Sequence, residues 1–289
     1  MKKSIIALAL VGAFAAPAFA QTAAPAAEAA PASPHTLTGN LGIFSSYRFR
    51  GIDQTFGQPA LQGGIDYSHE SGIYVGNWNS NVSSGAGFAD GNLEMDFYGG
   101  FKKAFGDFGI DVGGIYYYYP GSSAAPLSLT NAKHPSEGVG DRAVDNGEIY
   151  FGANWKTISV KYSYALTPYF ALPKSKGTSY LDLSGSFDLG DGWGINGHVG
   201  HLFANGYKYA TAGNQDISYT DWKLGVTKDI SGWVLGASYV DTNAKGSCAN
   251  GTAEFYCFAN SITSSPQTFG SKTKDAGRGI AVLSVSKTF

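Results

Sequence analysis

From about Leu37 to Phe289 the chain alternates apolar and polar residues in runs of about ten, the length of a barrel strand. In the run from Leu93, the residues Leu93, Met95, Phe97, Gly99 and Phe101 share one parity, and Glu94, Asp96, Tyr98, Gly100 and Lys102 share the other. Successive side chains of a strand point to opposite faces. Each such run therefore predicts a strand with one greasy face and one charged or polar face. Twelve strands are expected, over 36–50, 58–68, 73–83, 92–102, 107–119, 146–156, 158–166, 178–189, 193–203, 218–228, 232–241 and 277–289. Short turns, such as 69–72, 103–106 and 190–192, alternate with longer connections at 51–57, 84–91, 120–145, 167–177, 204–217 and 242–276. Strands of about nine to eleven residues cross a bilayer at a tilt, and bacterial barrels pair short periplasmic turns with longer outer loops. The pattern predicts an all-β fold, a transmembrane antiparallel up-and-down β-barrel over residues 36–289 with both termini on the periplasmic side.

The apolar parity supplies the proposed lipid face. It carries Leu37, Leu41, Ile43, Tyr47 and Phe49 on the first strand, Ile149, Phe151 and Trp155 on the sixth, and Leu181, Leu183 and Phe187 on the eighth. The third strand is apolar on both parities; Tyr74, Trp78 and Val82 are placed outward. Lys287 is the one charge expected on this face, near the chain end where its stem can snorkel to the headgroups. A charge at mid-bilayer would cost about 2–4 kcal/mol on a barrel's lipid face. Trp155, Trp193 and Trp233 fall near the periplasmic ends, and Tyr47, Tyr118 and Tyr164 near the outer ends, as in aromatic girdles. A soluble β-sandwich also alternates, but it would press these faces against one another and gives no reason for the pairing of short with long connections.

Composition narrows the class. Charged residues are 15% of the chain, below the roughly 25% usual in soluble domains. After the N-terminus no apolar run is long enough for a membrane helix. The formal net charge of −2 argues against nucleic acid as a partner. Residues 1–20 read as a secretory signal: Lys2 and Lys3, an apolar stretch from Ile5 to Phe14, and Ala18-Phe19-Ala20 as the cleavage site. Residues 21–35 are rich in Ala and Pro without periodicity and read as a disordered linker. An exported chain meets an oxidising compartment, so Cys248 and Cys257 are expected to form a disulfide. They have no neighbouring His, and no metal site or cofactor is expected.

The opposite parity holds the charges. Basic positions are Arg48, Arg50, Lys102, Lys161, Lys223 and Arg278; acidic ones are Asp66, Glu94, Asp96, Asp111, Glu148, Asp182, Asp188 and Asp221. Arg48, Arg50 and Arg278 lie at the outer ends of the first and last strands, which closure makes neighbours. They are expected to cluster and to face Glu94, Asp96, Glu148 and Asp182 across the lumen. With Lys161 and Lys223, these residues are the expected pore lining. A basic wall facing an acidic wall can line a narrow polar pore, and the excess of acids predicts a weak preference for cations. The same charges could instead pair and fill the interior, because twelve strands lie between filled eight-stranded barrels and open sixteen-stranded porins. The alternative is then a closed barrel acting as a surface-binding or structural protein. His69, His134, His198 and His201 come with no nucleophile elbow and no metal motif, so no catalytic residue is expected and a membrane hydrolase is the weakest reading.

Several phrases carry a resemblance: Ser45-Ser46-Tyr47-Arg48-Phe49-Arg50-Gly51, Gly76-Asn77-Trp78-Asn79-Ser80-Asn81-Val82, Glu94-Met95-Asp96-Phe97-Tyr98-Gly99-Gly100, Asp221-Trp222-Lys223-Leu224-Gly225-Val226, and the terminal Leu283-Ser284-Val285-Ser286-Lys287-Thr288-Phe289. In order and spacing they resemble the TorF family of porins of Gram-negative bacteria, over nearly the whole chain after residue 35. The resemblance implies a bacterial outer-membrane barrel in contact with outer-membrane lipid and with a porin-like role. Phe289 is similar to the terminal aromatic read by the barrel-insertion machinery, although Lys287 departs from that signal. Together these readings point to a channel for passive diffusion of ions or small polar solutes. The solute and the oligomeric state stay open.

Overall fold

The computed structural model of the protein describes residues 33–124, 143–209, 213–249, 253–265 and 267–289. The expected signal at 1–20 and most of the expected linker at 21–35 lie outside the described residues, as does most of the loop at 120–145. Twelve strands close into one barrel. They are β1 (His35–Phe44), β2 (Ala60–His69), β3 (Ile73–Asn81), β4 (Leu93–Phe105), β5 (Phe108–Tyr118), β6 (Asp145–Trp155), β7 (Ile158–Ala165), β8 (Ser179–Gly190), β9 (Trp193–Phe203), β10 (Tyr219–Ile230), β11 (Trp233–Thr242) and β12 (Ile280–Thr288). Each pairs antiparallel with its sequence neighbour. β12 returns to β1 in the register Asn40–Thr288 to Phe44–Ser284. The backbones of Gly39 and Phe289 exchange two further hydrogen bonds, at 3.1 and 2.8 Å. Closure leaves no open edge, which hydrocarbon could not hydrate.

Tight turns join the strands at one end. Asp191-Gly192 and Ser231-Gly232 both hold two residues at positive φ, the backbone that matches the right-handed twist of a two-residue hairpin. The outer surface of the barrel is apolar. Leu61, Phe151, Leu183, Leu224 and Leu283 are each about half exposed or more. A surface this apolar around a whole domain suits a lipid solvent rather than water.

Three expectations about faces are corrected. The first strand ends at Phe44 instead of running to residue 50. The chain turns inward there, so Tyr47 is buried and Phe49 packs inside the barrel. A tight reversal causes this: Arg48–Phe49 pairs with Ile52–Asp53, across Arg50 and Gly51, which both have positive φ. On β3 and just beyond it, Tyr74, Trp78 and Val82, expected outward, face inward, and Ile73 and Val75 face outward. Finally, Lys287 is not the one charge on the outer parity. Lys103 lies opposite Ile110 and Lys228 opposite Trp193 near the turn end. Asp145 lies opposite Tyr118 and Asp241 opposite Trp222 near the loop end. All of them sit at a rim, where water and headgroups are within reach. The lysines also cover rings: Lys228 lies 5.0 Å from the Trp193 centroid and Lys287 5.0 Å from that of Trp233.

Candidate functional site in the barrel lumen

The segment between β1 and β2, residues 45–59, folds down into the outer half of the barrel. Three sets of polar contacts hold it. Arg50 reaches across to β6, where its guanidinium makes a two-pronged pair with Glu148 (Nη1 to Oε1 3.0 Å, Nη2 to Oε2 2.7 Å) and also donates to the Tyr169 hydroxyl at 3.1 Å. It is sandwiched by rings, 4.8 Å from the Phe49 centroid and 4.5 Å from that of Tyr180. Burial works against the Arg50 charge, but Glu148 outweighs it and holds the guanidinium above its ordinary value. Second, Arg48 and Arg278 meet at Asp53, 3.5 and 3.2 Å from its Oδ2, and Arg48 Nη1 donates to the Ala276 carbonyl at 2.9 Å. Burial pulls the Arg48 guanidinium below its usual value, against the opposing pull of Asp53. Third, Tyr47 donates to Glu94 Oε1 at 2.5 Å, and Tyr119 donates to Glu94 Oε2 at 2.6 Å. Burial first, then Glu94, raise the Tyr47 phenol well above its ordinary value, so it stays a donor.

The three arginines therefore do not form one cluster. Arg48 and Arg278 do meet, but Arg50 crosses the lumen to the acidic wall. The cause is the reversal at Arg50-Gly51, which points the second arginine away from the first. Around these pairs the outer lumen is packed with rings. Tyr47, Trp78, Phe88, Tyr117 and Tyr119 form one buried group, and Ile52, Tyr169, Tyr180, Tyr219 and Tyr256 belong to another. This half of the interior is built like the core of a water-soluble protein.

Deeper in, the lumen is polar, and Lys161, Asp182, His198 and Lys223 are only half-buried there. His198 on β9 lies between two carboxylates, with Nδ1 2.7 Å from Asp182 and Nε2 3.1 Å from Asp221. Tyr180 donates to Asp221 at 2.7 Å, and Ser184 donates to Asp182. Toward the turn end, Tyr74 donates to Asp111 at 2.7 Å, and Lys161 lies 3.9 Å from the Tyr150 ring centroid, one strand away. Of the expected lining, Arg48, Arg50, Glu94, Asp96 and Glu148 are buried in the outer half, whereas Lys161, Asp182, Lys223 and Arg278 are half-buried. Periodicity gives no sign of Asp53 or of the donor tyrosines 119 and 180, and it places Tyr47 on the lipid face instead. An Arg-Gly step followed two residues later by Asp is a turn signal, but it cannot say that the turn folds inward.

Above the barrel, two small hairpins form a cap between β11 and β12, pairing Cys257–Ala259 with Thr273–Asp275 and Ile262–Ser264 with Gln267–Phe269. Cys248 and Cys257 are disulfide-bonded, with Cα atoms 5.2 Å apart. The cap touches the rest of the outer face: Ser83 donates to the Asn260 carbonyl at 3.0 Å, and Tyr256 donates to the Ile217 carbonyl at 2.6 Å.

The family model described as a bacterial protein of unknown function (Gcw_chp) matches residues 28–269. No curated protein matches the chain in sequence. Among solved structures it is similar to the NanC porin at 8% identity, covering 88% of this chain and 99% of that one with a TM-score of 0.48. It is similar to the KdgM porin, solved with disordered oligogalacturonate, at 8% identity, 88% and 97% coverage and a TM-score of 0.45. It is also similar to the P. putida toluene transporter TodX, at 10% identity, 90% and 91% coverage and a TM-score of 0.42.

Proposed function

We propose that this chain, which belongs to the Gcw_chp family of bacterial proteins of unknown function, is a porin-like barrel of the bacterial outer membrane. It passes ions or small polar solutes passively and is closed, in the conformation described, by residues 45–59. The observation that carries the reading is the division of faces. The outside of the barrel exposes Leu183, Phe151 and Leu224, while the inside keeps Lys161, Asp182, His198 and Lys223. A barrel that needed only to be stable would gain more from an apolar filling, because buried ion pairs seldom outperform one. Polar groups along the inner half suit a path for hydrated solutes. The plug is seated by ion pairs and hydroxyls, which water can replace when it withdraws. The likeness of the quoted phrases to TorF porins supports the same reading.

In this account residues 1–20 direct export, residues 21–35 are a linker, and Phe289 is the aromatic end offered to the insertion machinery. Glu94, Asp96, Glu148, Lys161, Asp182, Lys223 and Arg278 line the path, and Arg48 and Arg50 are carried on the plug itself and meet the path as it moves. The filled outer half and the disulfide-bonded cap favour a second reading, a closed barrel whose outer face binds a partner. Planar-bilayer recording separates the two. Folded protein should give discrete, voltage-dependent current steps. Silence from folded protein, persisting when residues 46–58 are replaced by a short glycine-rich link, would leave the surface-binding reading.

A further inference from the structure

The charges on the outer face of the barrel are sorted by end. Among the described barrel strands, the outward parity carries Lys103, Lys228 and Lys287 at the turn end, and Asp145 and Asp241 at the loop end. The acids near the turn end point elsewhere: Glu70, Asp107 and Asp191 lie in turns, and Asp188 and Asp229 take the inward parity. The histidines on the outward parity there, His35 and His69, lie opposite each other on β1 and β2 and add no negative charge. The belt where the turn end leaves the hydrocarbon is therefore basic on its outer face.

Two of these lysines belong to one patch. Trp193, Lys228, Trp233 and Lys287 follow one another across the adjacent strands β9 to β12, with Lys228 opposite Trp193 and Lys287 opposite Trp233. Each ammonium lies 5.0 Å from the centroid of its tryptophan, and Lys287 is also 5.9 Å from that of Phe289. Lys228 donates to the Asp191 carbonyl at 2.5 Å, which holds its ammonium at the level of the turn between β8 and β9. A ring face steadies an ammonium, and an ammonium has three hydrogens to donate. Leu235, opposite both Lys228 and Val285, supplies apolar surface between the two lysines. Tryptophan marks the depth at which lipid headgroups begin, and a lysine held there is attracted to a leaflet of negative charge. We propose that this patch selects an anionic phospholipid, of the phosphatidylglycerol class, from the leaflet at the turn end. The headgroup phosphate accepts from a lysine ammonium, and the acyl chains lie along Leu235 and Val285. The inference rests on the outer-membrane reading of the barrel, and not on whether the barrel conducts.

The tryptophans of the patch provide the test. The full chain, carrying Trp155→Phe and Trp222→Phe, is folded into phosphatidylcholine vesicles that contain a small share of brominated phosphatidylcholine or of brominated phosphatidylglycerol. Bromine quenches indole emission on contact. Trp193 and Trp233 are about half exposed and report on the patch, whereas Trp78 is buried inside the barrel and gives a constant background. Brominated phosphatidylglycerol should quench at about a fivefold lower share than brominated phosphatidylcholine, the scale of one ammonium at an anionic surface. Lys228→Gln with Lys287→Gln should bring the two lipids to parity, and raising the salt should narrow the gap as the Debye length falls. A chain that keeps Trp222 in place of Trp193 and Trp233 should show no preference for the anionic lipid, because Asp241 lies opposite it. Equal quenching by the two lipids at the patch, or an anionic preference that survives the double substitution, would overturn the proposal and leave the membrane reading intact. Quenching by neither lipid, in protein shown to be folded by heat-modifiable migration, would remove the outer-membrane reading and the proposal with it.

Discussion

Replacing Arg50 by Met keeps most of the side chain's length and removes its charge. The consequences follow from the contacts. Glu148 would lose both prongs of its pair, at 3.0 and 2.7 Å, and keep the neutral Asn146 amide at 2.9 Å. Removing one member of a buried pair costs about 3–5 kcal/mol, chiefly because the other charge is left stranded. If that loss falls on the seating of residues 45–59, the unseated population rises by roughly 140-fold to 4,000-fold, at about 1.4 kcal/mol per decade. Gln54 reports the seating, since it is buried within the plug and the two native cysteines are bonded to each other. In a Gln54→Cys background, labelling by a membrane-impermeant maleimide should accelerate by that factor when Arg50→Met is added, and channel open probability should rise with it. Adding Glu148→Gln to Arg50→Met should recover much of the protection, because no buried charge is then unpaired. Labelling that stays within about threefold of the parent would refute the claim that this pair seats the plug, given the far larger change that a lost buried pair predicts.

Other consequences are equally open to measurement. Leu183→Arg, at mid-strand on the outer face, should destabilise the barrel by about 2–4 kcal/mol in a urea titration followed by heat-modifiable migration; an effect below about 1 kcal/mol, the scale expected only near the interface, would argue against lipid at that position. Neutralising Glu94 and Asp96 together should move the reversal potential under a salt gradient toward anions, and neutralising Arg48 and Arg50 should move it the other way. Both shifts should shrink as the Debye length falls from about 10 Å at 0.1 M to about 3 Å at 1 M salt; persistent current steps with an unchanged reversal potential would make these charges structural. Reducing the Cys248–Cys257 bond should remove on the order of 2–3 kcal/mol from the cap, speeding protease cleavage within 242–276 while heat-modifiable migration of the barrel stays unchanged; equal cleavage rates would show that the bond contributes little there.

The strands were legible in the sequence because two solvents select them. Lipid on one face and polar groups on the other impose a period of two along every strand, so that Leu181, Leu183 and Phe187 separate cleanly from Asp182, Ser184 and Asp188. The same logic fails where both faces are apolar. On β3, Trp78 looks outward by hydrophobicity, yet it packs against Tyr47 inside, because the outer lumen has a core of its own. It also fails at residue 45, where alternation continues through Tyr47 and Phe49 although the strand has ended. Apolar residues of the plug follow the same pattern as apolar residues facing lipid, and only the glycine turn at Gly51 hints at the reversal. The parity argument placed Arg50 and Glu148 on the inside, but their pairing depends on the path of a loop, which periodicity does not encode. Asp53, the acid that joins Arg48 to Arg278, went unseen for the same reason.

The most direct test of the account compares single-channel recordings of the intact protein with those of a form in which a short glycine-rich link replaces residues 46–58. Both forms must first be shown to be folded by heat-modifiable migration. The account predicts rare, brief openings for the intact barrel and sustained conductance for the shortened one, with current carried in either form through the polar lumen. No conductance from the folded, shortened barrel at any voltage would contradict it, and so would identical gating in the two forms.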